Sequence, residues 1–198
     1  MKFSYFQQLK PNDKLNLLNQ FSTNQLLINI HAYVIMTDHF HFLIQQSKKN
    51  GIRTFMQKLL NSYSHFYNIL NKRMGPLFEG NFRAILIEHD NYLIHLARYI
   101  HLNPVTAYIV KDPANYPHSS YNIYLGNKKL FPPITTKTIL SYFKNIKEFQ
   151  EFHLKHKYEQ RLTAKIRKEL LIDYQWRSRI VIPEPQRWRS GIVEKHET

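Results

Sequence analysis

The alternation between Ile28 and Gln46 constrains this chain more than any other stretch. Ile28, Ile30, Ala32, Val34 and Met36 share one parity, Thr37-Asp38 interrupts, and Phe40, Phe42 and Ile44 resume the alternation. A period of two over this length belongs to strands and the break to a turn, so the segment predicts two strands joined tightly. His39-Phe40-His41 then places two imidazoles on one face. Alternate residues lie about 7 Å apart along a strand, a gap that two imidazoles close on one ion by leaning together.

Around this hairpin the sequence predicts helices. Leu15, Leu18 and Phe21 fall on one face of a helix from Asn12 to Phe21. A longer helix is expected from Ile52 to about Arg73, where Phe55, Leu59, Tyr63, Phe66 and Leu70 recur at helical spacing. Arg53, Lys58, Lys72 and Arg73 remain available to solvent or phosphate, and Gly75-Pro76 ends the helix. Phe82 to Glu88, apolar on both parities, reads as a strand buried largely on both faces. Asp90 caps the next helix, with Leu93, Ala97 and Ile100 in one stripe and Tyr92, Leu96, Tyr99 and Asn103 in the adjoining one. Tyr99 and Asn103, four apart, share a side. Pro104 is expected to end this helix at Asn103, leaving its partly negative end where a cation is welcome. A Pro-punctuated stretch follows to Phe131-Pro132-Pro133. The expected organisation is a main domain over 1–132 and a basic helical C-terminal extension over 133–198, helical to about residue 176 and ending in a disordered tail.

Composition narrows the partners. The formal charge is +14, net +8 over residues 1–136 and +6 over 137–198, so both parts are basic and a polyanion is implied. Aromatic content of 14% adds base-stacking surface, which favours nucleic acid over an anionic membrane. The absence of cysteine excludes disulfides, thiolate metal sites and a cysteine nucleophile. No stretch approaches the roughly 18 apolar residues of a membrane span, and Met1–Gln8 contains no apolar signal core. A soluble, cytoplasmic protein is expected.

The chemistry these residues allow is phosphoryl transfer. A cation neutralises a non-bridging oxygen of a phosphodiester, and two imidazoles plus an amide oxygen leave coordination positions for phosphate and water. With no sulfur, such a set suits Mg2+ or Mn2+, although imidazoles also accept zinc, nickel or cobalt. A tyrosine nucleophile conserves the bond energy in a covalent phosphotyrosine, whereas water discards it. Tyr63 and Tyr67 rival Tyr99 as helical tyrosines.

Five ordered blocks, AYVIMTDHFHFLI, FMQKLLNSYSHFYN, GPLFEGNFRAILIE, YLIHLARYIHLNPV and YPHSSYNIYLG, run from Ala32 to Gly126 and carry a resemblance that covers roughly residues 12–126. Together they resemble the single-tyrosine HUH transposases, especially the REP-associated branch. The resemblance implies an α+β fold of ferredoxin-like HUH nuclease type, with a central antiparallel sheet packed with helices. It implies Mg2+ or Mn2+ held by His39, His41 and Asn103, Tyr99 as nucleophile, single-stranded or hairpin DNA as partner, and a homodimer. Arg53, Lys58, Lys72, Arg73 and Arg83 are the phosphate-binding candidates. Trp176-Arg177-Ser178-Arg179 and Arg187-Trp188-Arg189 interleave indole with guanidinium, suited to unpaired bases. Only Met1–Phe6 is left for the family's first strand, so a shortened one is expected. Where family members commonly carry Pro-Asn before the histidine pair, this chain has Thr37-Asp38, which sets an acid close to the expected metal; Asp38 is read as a turn residue in preference to one that tunes the site. The activity expected is cleavage and rejoining of hairpin-bearing single-stranded DNA through a 5'-phosphotyrosine. The alternatives are a non-catalytic binder of structured DNA or RNA and a metal-dependent phosphodiesterase using water.

Overall fold

The computed structural model describes residues 26–78, 82–126, 134–155 and 179–183, with positions 8, 10, 12 and 13; of Arg83 and 179–183 the backbone alone is described. Apart from helical Asn12 and Asp13, the helix expected over 12–21 lies outside the described residues, as do Trp176, Arg177, Ser178 and Arg187-Trp188-Arg189. Strand β1 (Ile28–Ile35) is followed by β2 (Phe40–Gln46), helix α1 (Gly51–Leu70), β3 (Arg83–Ile87) and helix α2 (Asp90–Thr106). A 3-10 turn at Pro113–Asn115, short α3 (Tyr121–Tyr124) and α4 (Thr136–Leu140), then α5 (Ile146–Lys155) and β4 (Arg179–Pro183), follow.

The expected hairpin forms. β1 and β2 pair antiparallel from Ile28 opposite Gln46 to Ile35 opposite Phe40, and the Met36 amide donates to the His39 carbonyl at 2.8 Å across the turn. Its faces differ from the parity reading in one respect. Ile30 stands opposite Ile44 but Ala32 stands opposite Leu43, so His31 is an extra residue and the strand is bulged there. A one-residue insertion exchanges the faces. Ile28 and Ile30 therefore join Phe42, Ile44, Ile52 and Met56 in a core beneath α1. Ala32, Val34 and Met36 join Leu43, Leu93, Ala97 and Ile100 beneath α2. The α+β class is thus built as one sheet with a long helix on each face.

The sheet order is β1-β2-β4-β3. β4 runs parallel to β2 and to β3, so the antiparallel character resides in β1–β2. Residues 179–183 were expected in a helical extension and its disordered tail. They form a strand instead, for Ile180-Val181-Ile182 is a β-branched run that fits a pleated surface better than a helix. β3 is not buried on both faces: Leu86 is 44% exposed and Ala84 is exposed, whereas Ile87 is buried. It lies at the end of the sheet, where one face is less covered.

Glycine at position 51 permits the close turn from β2 into α1, because a Cβ there would sit 2.1 Å from the Leu27 carbonyl oxygen. The apolar stripe expected along α1 is buried only in its first half. A helix of 20 residues is about 30 Å long, whereas seven strand residues reach about 23 Å. Phe66, Ile69 and Leu70 therefore project beyond the sheet and are exposed, and Tyr63, just short of that point, is exposed as well.

Helix α2 does not stop at Asn103. It includes Pro104 and runs to Thr106, then closes through Tyr108 at φ 60°, with the Ile109 amide donating to the Pro104 carbonyl at 2.9 Å. Pro104 costs one helical hydrogen bond but is buried beside Leu102 and Val105, and that packing carries the helix through. The outer edge of β1 is sealed by the chain after α2. Ser120 exchanges backbone and hydroxyl hydrogen bonds with Tyr33, the Tyr116 hydroxyl donates to the Ile35 carbonyl at 2.8 Å, and the Thr135 amide donates to the Ile30 carbonyl at 2.8 Å. Sealing an edge in this way blocks further strand addition.

Candidate functional site

β2 and α2 bring three of the predicted side chains, His39, His41 and Tyr99, into contact. His39 sits in the turn just before β2, and His41 is the second residue of the strand. Both point to the side covered by α2, and their rings lie 5.0 Å apart in an edge-to-face arrangement. His41 is 3% exposed. Its ring meets that of Tyr99 at 5.6 Å, with the planes 70° apart. Tyr99 is held there because Leu93, Ala97 and Ile100 seat α2 on the sheet, leaving the adjoining stripe at the rim of the contact. Asn103, one turn further along α2, is buried at 8% exposure.

Asp38 is the charged neighbour. Its Oδ1 lies 2.6 Å from His39 Nδ1, with the Asp38 side chain 82% exposed and that of His39 22% exposed. Among the described residues, no three His, Cys, Asp or Glu side chains converge as a metal cluster. A cation here would rest on the two imidazoles plus a donor of another type, and the Asn103 amide oxygen has the right chemistry. The α2 C-terminus lies one turn beyond Asn103, so its negative end is displaced from the position expected for it.

Residues 6–103 match the family model for IS200-like transposases. The chain belongs to the IS200-like transposase family. The match covers about half the chain, taking in the hairpin, α1, β3 and α2 as far as Asn103. No curated protein and no solved structure matches the chain significantly. Membership of this family carries transposase-like activity, DNA binding and transposition as the general assignment. No described helix is long and apolar enough to cross a membrane.

Four of the five basic residues singled out in the sequence lie on the α1 side of the sheet, away from Tyr99. Arg53 and Lys58 are exposed on α1, and Lys72 and Arg73 are exposed just after it, on the helix that covers the opposite sheet face. Arg73 braces the end of α1, donating to Asn68 Oδ1 at 3.0 Å and the Pro76 carbonyl at 3.1 Å. Arg83 opens β3 in register with Arg179 of β4, which is itself in register with His41.

Sequence reasoning missed a buried polar chain beside the site. His101 Nδ1 lies 3.0 Å from His153 Nε2, and His101 Nε2 lies 2.9 Å from Ser120 Oγ. His153 Nδ1 reaches the Phe149 carbonyl at 2.8 Å. The available signal was His101 itself, which follows Ala97 by four residues on the buried stripe and so had to carry its polar atoms into the core.

Proposed function

We propose that this chain cleaves and rejoins hairpin-bearing single-stranded DNA, with Tyr99 as nucleophile and a divalent metal, Mg2+ or Mn2+, at His39, His41 and Asn103. The observation that carries the reading is the contact of Tyr99 with His41, itself against His39, within a chain of the IS200-like transposase family. Nitrogen and oxygen donors without sulfur fit these cations. When bound there, the cation supplies charge neutralisation at a non-bridging phosphate oxygen.

The rest falls to the chain's own groups. The Tyr99 oxygen loses its proton and attacks phosphorus, the bond to the 3' oxygen breaks, and that oxygen leaves as a hydroxyl after taking up a proton. The 5' phosphate is then esterified to Tyr99, and attack by a 3' hydroxyl reverses the step and restores the phenol. Exposed Arg53, Lys58 and Lys72 offer phosphate contacts away from the reacting atoms. The same proposal assigns the chain to the REP-associated branch and has it act as a homodimer, a reading supported by the ordered motifs.

The test is covalent trapping on hairpin-bearing single-stranded DNA with Mn2+. Wild-type protein is expected to give a protein–DNA adduct, and Tyr99→Phe none. Cleavage without an adduct would indicate a water nucleophile, and hairpin binding without cleavage a non-catalytic binder. Identical adduct yield from Tyr99→Phe would move the nucleophile elsewhere.

A further inference from the structure

The Thr37-Asp38 turn does more than reverse the chain. Its reversal is already fixed by the backbone bond from the Met36 amide to the His39 carbonyl at 2.8 Å, which calls on no side chain. Asp38 nevertheless directs Oδ1 to His39 Nδ1 at 2.6 Å. A carboxylate only accepts hydrogen bonds, so Nδ1 must carry the proton, and in the neutral ring the lone pair is then confined to Nε2. The same contact fixes the rotation of an imidazole that is otherwise partly open to solvent.

From this geometry we infer that Asp38 is a positioning residue for a divalent cation, orienting His39 so that Nε2 faces the ion. The inference rests on the metal reading above and adds a residue to it. Asp38 acts through His39 and is not a ligand beside it. Among the described residues no three His, Cys, Asp or Glu side chains converge as a metal cluster, so Asp38 does not complete a set with His39 and His41. A carboxylate hydrogen-bonded to the far nitrogen of a ligating imidazole selects its tautomer and raises its basicity, and losing such a partner typically weakens metal binding about 10–100-fold. The His39 ring packs edge-to-face on His41 at 5.0 Å, so the imidazole that Asp38 orients adjoins the second proposed ligand.

The experiment is calorimetric titration of Mn2+ into the metal-free full chain, for wild type, Asp38→Ala, Asp38→Asn and His39→Ala, with the thermal midpoint of each recorded before metal is added. Asp38→Ala is expected to weaken Mn2+ binding about 10–100-fold, and His39→Ala to abolish it. Asp38→Asn keeps an acceptor oxygen and the turn but loses the charge, so a smaller loss is expected at an unchanged thermal midpoint. It also reports if Asp38→Ala does not fold. Wild-type affinity in both Asp38 variants, with His39→Ala inactive in binding, would overturn the role of Asp38 and leave the metal site standing. No Mn2+ binding by wild type would overturn both. A lowered thermal midpoint with unchanged affinity would reduce Asp38 to a turn residue.

Discussion

The proton positions along the buried histidine chain are set by its two ends. The Phe149 carbonyl only accepts, so His153 Nδ1 donates to it, and His153 Nε2 must accept from His101 Nδ1. His101 Nε2 then accepts from the Ser120 hydroxyl, whose oxygen accepts in turn from the Tyr33 amide. Both rings are then neutral, and the Ser120 hydroxyl, which has the Tyr33 carbonyl as a second acceptor at 3.2 Å, turns its one proton to the nearer His101 Nε2 at 2.9 Å. Burial holds the His101 pKa well below its ordinary value, with His153 adding to the effect. Burial likewise lowers His153 to about 3; Arg98 pushes the same way, against the bond to Phe149. The unfolded chain takes up these protons as pH falls through about 6.5 whereas the folded chain does not, so stability is complete above that value and declines toward pH 3. His153 alone should remove about 2 kcal/mol between pH 7.5 and pH 5, with His101 acting in the same direction. Urea unfolding at pH 7.5, 6 and 5 checks this. A midpoint independent of pH across that range would mean that the rings are not buried neutral.

Among the elements, α5 shows most clearly why the site depends on chain well C-terminal to Tyr99. Phe149 is fully buried, stacked on Tyr124 at 5.1 Å with the ring planes 7° apart, and it shares one core with Ala32, Val34, Ala97 and Ile100. The expected boundary at 132/133 therefore falls inside a continuous core that supports α2 and Tyr99. Phe149→Ala should cost about 3–5 kcal/mol, the range for deleting a buried aromatic ring. Denaturant unfolding would register it, and a loss below about 1 kcal/mol would show that α5 packs loosely. Local pattern made the β1–β2 hairpin and the Leu93–Ala97–Ile100 stripe legible, because period and burial coincide there. The bulge at His31 was not legible, since an extra residue leaves the alternation of the sequence intact while exchanging the faces of the strand. Nor was the overhang of α1, because its stripe repeats regularly past the point where the sheet ends. The contact of His39 with Asp38 lay in adjacent residues, yet adjacency alone does not tell a turn residue from one that orients a ring.

At the scale of the whole molecule, the exposed cations of the α1 side and the site lie on opposite faces of the sheet, while Arg83 and Arg179 are in strand register with His41. The +14 excess is distributed along the chain, while Tyr99 and His41 meet beneath α2 and the exposed Arg53, Lys58 and Lys72 belong to the α1 side. A strand engaging both surfaces must pass around the molecule, so the α1 cations are expected to supply affinity without taking part in the reaction. Each phosphate neutralised releases condensed counterions, giving a salt slope near −0.7 per contact for single strands and −0.9 for duplex. Replacing Arg53, Lys58 and Lys72 together by Ala should flatten the plot of log K against log salt by about 2–3. The adduct yield at saturating DNA should be unchanged. Fluorescence anisotropy on the hairpin substrate between 50 and 200 mM salt measures the slope. An unchanged slope would place the DNA path away from α1, and an altered saturating adduct yield would mean that these cations reach the reacting phosphate after all.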